Sequence, residues 1–228
     1  MKTRKFLRDR VLRLAAVLGH LKNRIAVVGG TAPALYDLKN VVDVRPTRDI
    51  DVVVAAHTKP EWYGFISDIE GRGFRAVTAD SVICRYQKDD LIVDVMAFDP
   101  SVLGFGSVWH EEAYNSRVRA IGVDVDVISP VHFIATKLEA FAARGANDPL
   151  SSPDLEDILV VLRGMPDLAD EIAGGQQPVH SFIRRQLGKI VAGADALGLI
   201  RAHIEPDDAT QATAPMLLAR LRKTCSVP

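Results

Sequence analysis

The residues that decide the fold are Val27-Val28-Gly29-Gly30-Thr31 and, further along, Arg45-Pro46-Thr47-Arg48-Asp49-Ile50-Asp51-Val52-Val53-Val54. The first β-branched run ends in a glycine pair, which predicts a strand followed by a turn into a short helix. The second run carries two carboxylates at positions i and i+2. Side chains alternate between the two faces of a strand, so we expect Asp49 and Asp51 to lie on the same face.

This pattern has a direct chemical consequence. Two neighbouring carboxylates repel each other unless a positive charge lies between them, and a divalent metal such as Mg²⁺ prefers oxygen ligands completed by a substrate phosphate. The Gly29-Gly30 pair allows close approach of the backbone to a ligand, and the helix N-terminus after it favours anions. The two stretches therefore predict a metal and phosphate site.

The spacing resembles that of the nucleotidyltransferase superfamily that includes DNA polymerase beta: Gly-Gly or Gly-Ser, a gap, then Asp-hydrophobic-Asp. The gap here is longer than in many members. The family also has a third carboxylate on a neighbouring strand, which Asp94 supplies within Leu91–Ala97. The resemblance implies an α/β (α+β) fold, a polymerase-beta-like mixed sheet with flanking helices followed by a C-terminal helical region.

The resemblance also implies the chemistry of the site, which is transfer of a nucleoside monophosphate from an NTP to a hydroxyl. Two Mg²⁺ ions, or Mn²⁺, would be held by Asp49, Asp51 and Asp94, and Asp94 would accept the hydroxyl proton. Thr31 and the backbone of the glycine pair Gly29-Gly30 would hold the phosphates. Arg48 could assist, although a salt bridge to a neighbouring carboxylate is the preferred interpretation for that side chain.

A second group of charged residues lies between positions 136 and 163. Lys137 and Arg144 are seven residues apart, hence on one helical face, and Asp154 and Asp157 share a face of the next predicted helix. Considered alone, the pattern favours a structural role in which the cations of one helix pair with the carboxylates of the next.

Together with the first motif, however, this segment resembles the AbiEii/AbiGii-type (MenT-like) nucleotidyltransferase toxins. Their lysine precedes an Asp-x-x-Asp-Ile-like segment, here Asp154-Leu155-Glu156-Asp157-Ile158. The resemblance implies that Lys137 contacts the triphosphate and that Asp157 completes the active site, with looser roles for Arg144 and Asp154. It further implies a toxin that extends the 3′ end of tRNA and is neutralised by an antitoxin encoded nearby.

Composition sets broader limits. The 228 residues suffice for one large domain or two small ones, and 48% hydrophobic with 25% charged residues is ordinary for a soluble protein. A net charge of −1 gives no sign of nucleic-acid binding in bulk. Two distant cysteines, Cys84 and Cys225, fit a reducing compartment, and no apolar run is long enough for a membrane. We therefore expect a cytoplasmic protein without membrane contact.

The pattern of elements predicts two parts. Residues 1–129 are expected to form the nucleotidyltransferase α/β domain, and residues 130–228 a helical region packed on it that completes the active site. Predicted helices cover residues 4–21, 31–38, 59–70, 130–143, 153–162, 166–173, 178–203 (one or a pair) and 206–223; predicted strands cover 25–28, 49–55, 74–78, 81–86, 91–97, 117–121 and 123–128.

Other interpretations stay open. A small-molecule adenylyltransferase of the aminoglycoside type would need an acidic acceptor pocket, for which Glu111-Glu112 is a faint hint. A catalytically silent nucleotide-binding module is disfavoured by the three clustered carboxylates. The basic face of the first helix is either solvated, which we favour, or an RNA contact, and the six histidines show no spacing typical of zinc.

Overall fold

The structure is a computed structural model that describes residues 2–39, 43–78, 82–145 and 147–225. It divides into two compact units. Unit 1 comprises Met1–Tyr36 with Asp43–Thr136, and unit 2 comprises Asp37–Val42 with Lys137–Pro228. The division falls within one helix, Pro130–Ala140, a few residues beyond the predicted boundary at residue 129.

Unit 1 is built around one seven-stranded mixed sheet with the strand order β3-β4-β5-β2-β1-β7-β6. Its strands are β1 Ile25–Val27, β2 Asp49–Val54, β3 Arg75–Ala76, β4 Arg85–Lys88, β5 Leu91–Ala97, β6 Val118–Arg119 and β7 Asp126–Val127. The pairs β2–β5 and β1–β7 are parallel, and the other neighbours are antiparallel. The predicted mixed sheet with flanking helices is confirmed.

The helices of this unit are α1 Lys2–Leu18, α2 Lys59–Glu70, α3 Pro100–Leu103, α4 His110–Asn115 and α5 Pro130–Ala140. Residues of α1, α2 and the central strands line one small apolar cavity: Leu14, Leu18, Ile25, Val52, Phe65, Ile69, Phe74, Val93 and Val95. Helices α1 and α2 therefore cover the same face of the sheet. Because side chains alternate along a strand, Asp49, Asp51 and Asp94 belong to the opposite face.

Unit 2 contains α6 Pro153–Gly164, α7 Pro166–Gly174, α8 Pro178–Val191, α9 Ala196–Ala202, α10 Asp208–Gln211 and α11 Ala214–Cys225. Proline occupies the first turn of α6, α7 and α8, where its missing N–H costs nothing because that donor has no partner within the helix. The core is aliphatic and includes the fully buried Ile158, Val161, Ile172 and Ile183. None of the helices described in the structure is long and apolar enough to cross a membrane.

Several predicted boundaries were wrong, for identifiable reasons. The segment predicted as helix 31–38 is a 3₁₀ helix, Gly29–Leu35, because Pro33 lacks the N–H that a regular α-helix needs at that point. The strand predicted for 74–78 is only Arg75–Ala76, an exposed strand at the edge of the sheet. The strand predicted for 81–86 begins at Arg85, and its first predicted residue, Ser81, lies outside the described residues.

In the C-terminal region the predicted helix 206–223 consists of α10 and α11. Residues 212 and 213 separate them, since Pro215 has no N–H to donate to the carbonyl of Gln211 and so cannot continue the helix that ends there. The region 178–203 contains a pair of helices, α8 and α9, one of the two arrangements expected.

Three of the six basic side chains of α1 are exposed, as predicted, and the other three contact the protein. Arg4 donates to the carbonyls of Ala34 and Tyr36, and Arg8 donates to the carbonyl of Ala34. Arg10 is buried and donates to the carbonyls of the loop before β2. Three of the basic residues therefore fix loops of unit 1.

Candidate active site

Three carboxylates meet on two adjacent parallel strands. In the β2–β5 ladder Asp51 lies directly opposite Asp94, and Asp49 precedes Asp51 by two residues on the same face. Asp94 is buried, whereas Asp49 and Asp51 are partly exposed. The predicted clustering of these three residues follows from the strand register alone.

The glycine pair lies against this cluster. Strand β1 is antiparallel to β2, and the N–H of Val28 donates to the carbonyl of Asp51 across 2.9 Å. Gly29 has φ +61°, and a Cβ built on it would lie 1.9 Å from Oδ2 of Asp51. A side chain at position 29 would therefore displace the carboxylate of Asp51, and glycine also permits this left-handed backbone.

Arg85 is the residue of the site that the sequence analysis missed. It pairs with Asp94 in the β4–β5 ladder, and its Nε and Nη2 donate to the two oxygens of Asp94, each across 2.8 Å. Nη2 also lies 2.6 Å from Oδ2 of Asp49. The guanidinium thus bridges Asp49 and Asp94. The sequence did contain a signal for this contact. Strands β4 and β5 are joined by a short turn, and their pairing sets Arg85 directly opposite Asp94. Single arginines in strands are too common, however, for this one to be selected from the sequence.

The remaining residues predicted for phosphate binding have distinct placements. The side chain of Thr31 is fully buried, and its hydroxyl donates to the carbonyl of Asp49 across 3.1 Å. The backbone of Gly30 is part of the same 3₁₀ helix. Arg48 is exposed and forms no ion pair with any residue the structure describes, so the salt bridge preferred for it is absent there. Thr31 as placed supports β2.

The loop before β2 is tied down on both sides. Thr47 donates its hydroxyl to Oδ1 of Asp49 across 2.7 Å. Arg10 of α1 donates to the carbonyls of Thr47 and Arg48 and is only 5% exposed. Helix α1 therefore sets the position of the first carboxylate.

The second group of charged residues forms a buried cluster within unit 2. Nζ of Lys137 lies 3.0 Å from Oδ1 of Asp154 and 2.7 Å from Oδ2 of Asp157, and both carboxylates are almost fully buried. Arg144, in a π-helical turn at Phe141–Gly145, donates to both oxygens of Asp154. The four residues named from the sequence do meet, in the arrangement expected of a structural pairing between helices.

Burial and neighbouring charges shift the pKa values of several groups in and near the two clusters. Burial would lower the pKa of Lys137, but the charges of Asp157 and Asp154 outweigh it and leave that pKa raised. Burial would raise the pKa of Asp154, but the hydrogen bonds from Arg144 and the charge of Lys137 leave it lowered. Near the first cluster, burial, followed by the charges of Asp94 and Asp51, raises the pKa of the Cys84 thiol to about 12. The Cys84 thiol therefore holds its proton more tightly than a free cysteine does.

The fit of a divalent metal can be judged from the donor set. Asp49, Asp51 and Asp94 provide only carboxylate oxygens, which suit Mg²⁺ or Mn²⁺, and the absent Cβ of Gly29 is what allows the carboxylate of Asp51 to occupy its place. The cluster already accommodates one cation, the guanidinium of Arg85. As their side chains stand, the described residues contain no group of three acidic, histidine or cysteine side chains arranged around a metal. The donor atoms are therefore those that a divalent metal prefers, and the guanidinium of Arg85 lies between Asp49 and Asp94.

The fold can be compared with those of known proteins. No family model matches the chain, and no curated protein does. Among solved structures, an antigenic nucleotidyltransferase-like protein from Paracoccidioides brasiliensis superposes with a TM-score of 0.51 and 16% identity, covering 84% of this chain and 90% of its own. The antibiotic-resistance factor ANT(2″)-Ia matches with a TM-score of 0.48 and 16% identity over 84% of this chain and 95% of its own. The superposition with the Paracoccidioides protein shows that the chain has the fold of a nucleotidyltransferase-like protein.

Proposed function

We propose that this protein is a metal-dependent nucleotidyltransferase that transfers a nucleoside monophosphate from an NTP to an acceptor hydroxyl. The observation that carries the proposal is the register of β2 and β5, which sets Asp51 opposite Asp94 with Asp49 on the same face, beside a glycine without room for a side chain. The fold of a nucleotidyltransferase-like protein supports it.

Each residue of the candidate site has a definite role in the proposed reaction. Asp49, Asp51 and Asp94 would hold the divalent cation. The hydroxyl oxygen bonds to the α-phosphorus while the bond from that phosphorus to the departing pyrophosphate breaks, and the carboxylate of Asp94 accepts the hydroxyl proton. The backbone of Gly29 and Gly30 approaches the triphosphate. The cation, when bound, supplies positive charge that lowers the pKa of the hydroxyl and offsets charge on the phosphates. The protein otherwise orients the two reactants, which is the larger part of phosphoryl-transfer catalysis.

Thr31 and Thr47 act indirectly in this scheme, through Asp49. Thr31 donates to the carbonyl of Asp49 and Thr47 donates to its carboxylate, so both hold the first metal ligand in its orientation. Arg48 follows at the end of the same loop with an exposed side chain, which suits a contact with the triphosphate. We propose Thr31 as a positioning residue and Arg48 as a nucleotide contact.

We further propose that the acceptor is the 3′ end of tRNA and that the protein is the toxin of a toxin–antitoxin pair. The support is the likeness of Lys137 and Asp154-Leu155-Glu156-Asp157-Ile158 to the AbiE-type toxins. In that scheme Lys137 and Arg144 contact the triphosphate and Asp157 completes the active site. The buried ion pairs of Lys137 give it a structural task as well.

An acceptor panel tests the reaction and its substrate together. Purified protein and Mg²⁺ are incubated with each of the four α-labelled NTPs and, in separate reactions, total RNA, a mixture of proteins or aminoglycosides. Label in a tRNA-sized band supports the whole proposal. Label in aminoglycosides or protein keeps the transferase and removes the tRNA acceptor. No labelled product with any acceptor contradicts the transferase and favours a silent nucleotide-binding module.

A further inference from the structure

The guanidinium of Arg85 lies where the proposed function needs a divalent cation, and this inference rests on that proposed function. Arg85 is the first residue of β4 and faces Asp94 across the ladder. Its side chain is 19% exposed, against 27% for Asp49 and 10% for Asp94, so the three groups are partly shielded from water. Charge pairs in such surroundings are weakened by solvent less than fully exposed pairs.

The hydrogen bonds of the site occupy every oxygen of two of its carboxylates. Both oxygens of Asp94 accept from Arg85, Oδ2 of Asp49 also lies against Arg85, and Oδ1 of Asp49 accepts from Thr47. A forked contact of this kind is the strongest that arginine makes with a carboxylate. Each oxygen keeps a second lone pair, so a metal ion between these two carboxylates competes with the guanidinium for its position rather than for every hydrogen bond.

Charge makes the two occupants exclusive. A divalent ion and a guanidinium on the same pair of carboxylates would repel each other within a few ångströms, in surroundings that screen charge less than bulk water does. Without either cation, the carboxylates of Asp49, Asp51 and Asp94 would repel one another on two adjacent strands. One cation is needed, and the site has two candidates.

We propose that Arg85 is an exchangeable counter-ion of the carboxylate site: it bridges Asp49 and Asp94 in the metal-free protein and competes with the divalent cation for them. Arg85 then stabilises the fold before the substrate arrives and reduces the affinity for free metal. The cation binds well only when it displaces the guanidinium.

Direct metal binding tests this without any need for turnover. Mn²⁺ affinity is measured by titration with paramagnetic resonance detection of free Mn²⁺, for the wild-type protein and for Arg85→Gln. The matched control is Arg119→Gln, because Arg119 also bridges two aspartates, Asp124 and Asp126, elsewhere in unit 1. Since hydrogen bonds to charged groups are worth about 1.5–3 kcal/mol, we expect Mn²⁺ to bind at least about tenfold more tightly to Arg85→Gln, and no change for Arg119→Gln.

A second variant covers the case in which Arg85→Gln does not fold. Arg85→Lys keeps the charge and loses the forked geometry, so its Mn²⁺ affinity should lie between those of the wild type and Arg85→Gln. In thermal unfolding, saturating Mn²⁺ should raise the melting temperature of either variant more than that of the wild type.

The outcomes separate this inference from the proposed function. If Mn²⁺ binds the wild type and both Arg85 variants equally, or binds the variants more weakly, the counter-ion inference is overturned while the metal site stands. If neither the wild type nor the variants bind Mn²⁺, the metal site fails, and the proposed function fails with it.

Discussion

At the scale of single residues, Gly29 gives a sharp test of how the site is built. We expect Gly29→Ala to reduce the free energy of unfolding by about 1–3 kcal/mol, because φ is positive there and the new Cβ would collide with the carboxylate of Asp51. Mn²⁺ affinity should fall in the same variant. Urea unfolding and Mn²⁺ titration measure the two effects.

The control is another glycine of the same unit. Gly64 lies within α2 and has no atom within 4 Å of a built Cβ, so Gly64→Ala should stabilise the protein by about 0.5–1 kcal/mol. Equal effects of the two substitutions would contradict the assignment of Gly29 to the site.

Lys137 gives the second test at this scale. Lys137→Met removes the ammonium that lies 2.7 Å from Asp157 and 3.0 Å from Asp154, both almost fully buried, and removal of one partner of a buried ion pair costs about 3–5 kcal/mol of unfolding free energy. The matched control, Lys22→Met, breaks a more exposed ion pair with Asp124 and should cost no more than about 1 kcal/mol. Urea unfolding of both variants measures the difference.

The same variant separates the two roles of Lys137. If Lys137→Met is as stable as the wild type but binds NTP more weakly, the structural role is wrong and the nucleotide contact implied by the resemblance gains support. A stability loss with unchanged NTP affinity in the folded fraction identifies the cluster as a link between α5 and α6.

How much of the site the sequence predicts depends on how local its contacts are. Asp49 and Asp51 could be placed on one face because strand alternation needs only a correct strand assignment, whereas Asp94 could be added only through the family resemblance of the motif. Arg85 could not, because its contact with Asp49 spans 36 positions and depends on the strand order β4-β5-β2. Thr31 was assigned to phosphate from its place after the glycines, while its buried hydroxyl donates to β2.

At the scale of elements, α1 acts as a clamp on the loop before β2. We expect Arg10→Gln to lower the free energy of unfolding by about 1–3 kcal/mol, because Arg10 is buried and two carbonyls of the loop lose a charged donor. Amide hydrogen exchange around Asp49 should also become faster.

An exposed arginine on the same helix provides the comparison. Arg13 pairs with Asp90 in solvent, where water screens the pair, so Arg13→Gln should leave both stability and exchange near Asp49 essentially unaltered. Faster exchange in both variants would mean that general loosening of α1, and not the contact of Arg10, controls the loop.

The bounds of helices and strands could be predicted where the local sequence preference agrees with the tertiary structure. Strand β5 and helix α2 have the predicted bounds, since β5 is an apolar run rich in β-branched residues and α2 begins at a Thr58–Glu61 capping box. The segment after the glycine pair is 3₁₀ because Pro33 interrupts the α-helical hydrogen bonds. The short β3 is decided by pairing at the edge of the sheet, which local pattern does not encode.

At the scale of the whole molecule, the likeness to a nucleotidyltransferase-like protein at 16% identity fixes the fold, and the activity is proposed from the site. The sheet order places β2 and β5 side by side although α2, β3 and β4 separate them in the chain. That crossover is what assembles the carboxylates. The central claim is therefore that the three carboxylates of this sheet carry out nucleotidyl transfer.

The measurement that tests this claim most directly is the initial rate of label transfer from an α-labelled NTP in the presence of Mg²⁺. It compares the wild type, Asp51→Asn and a matched control, Asp68→Asn, whose carboxylate pairs with Arg24 at the surface. We predict that Asp51→Asn lowers the rate by on the order of a hundredfold or more and that Asp68→Asn leaves it unchanged. Equal rates for the wild type and Asp51→Asn would contradict the account.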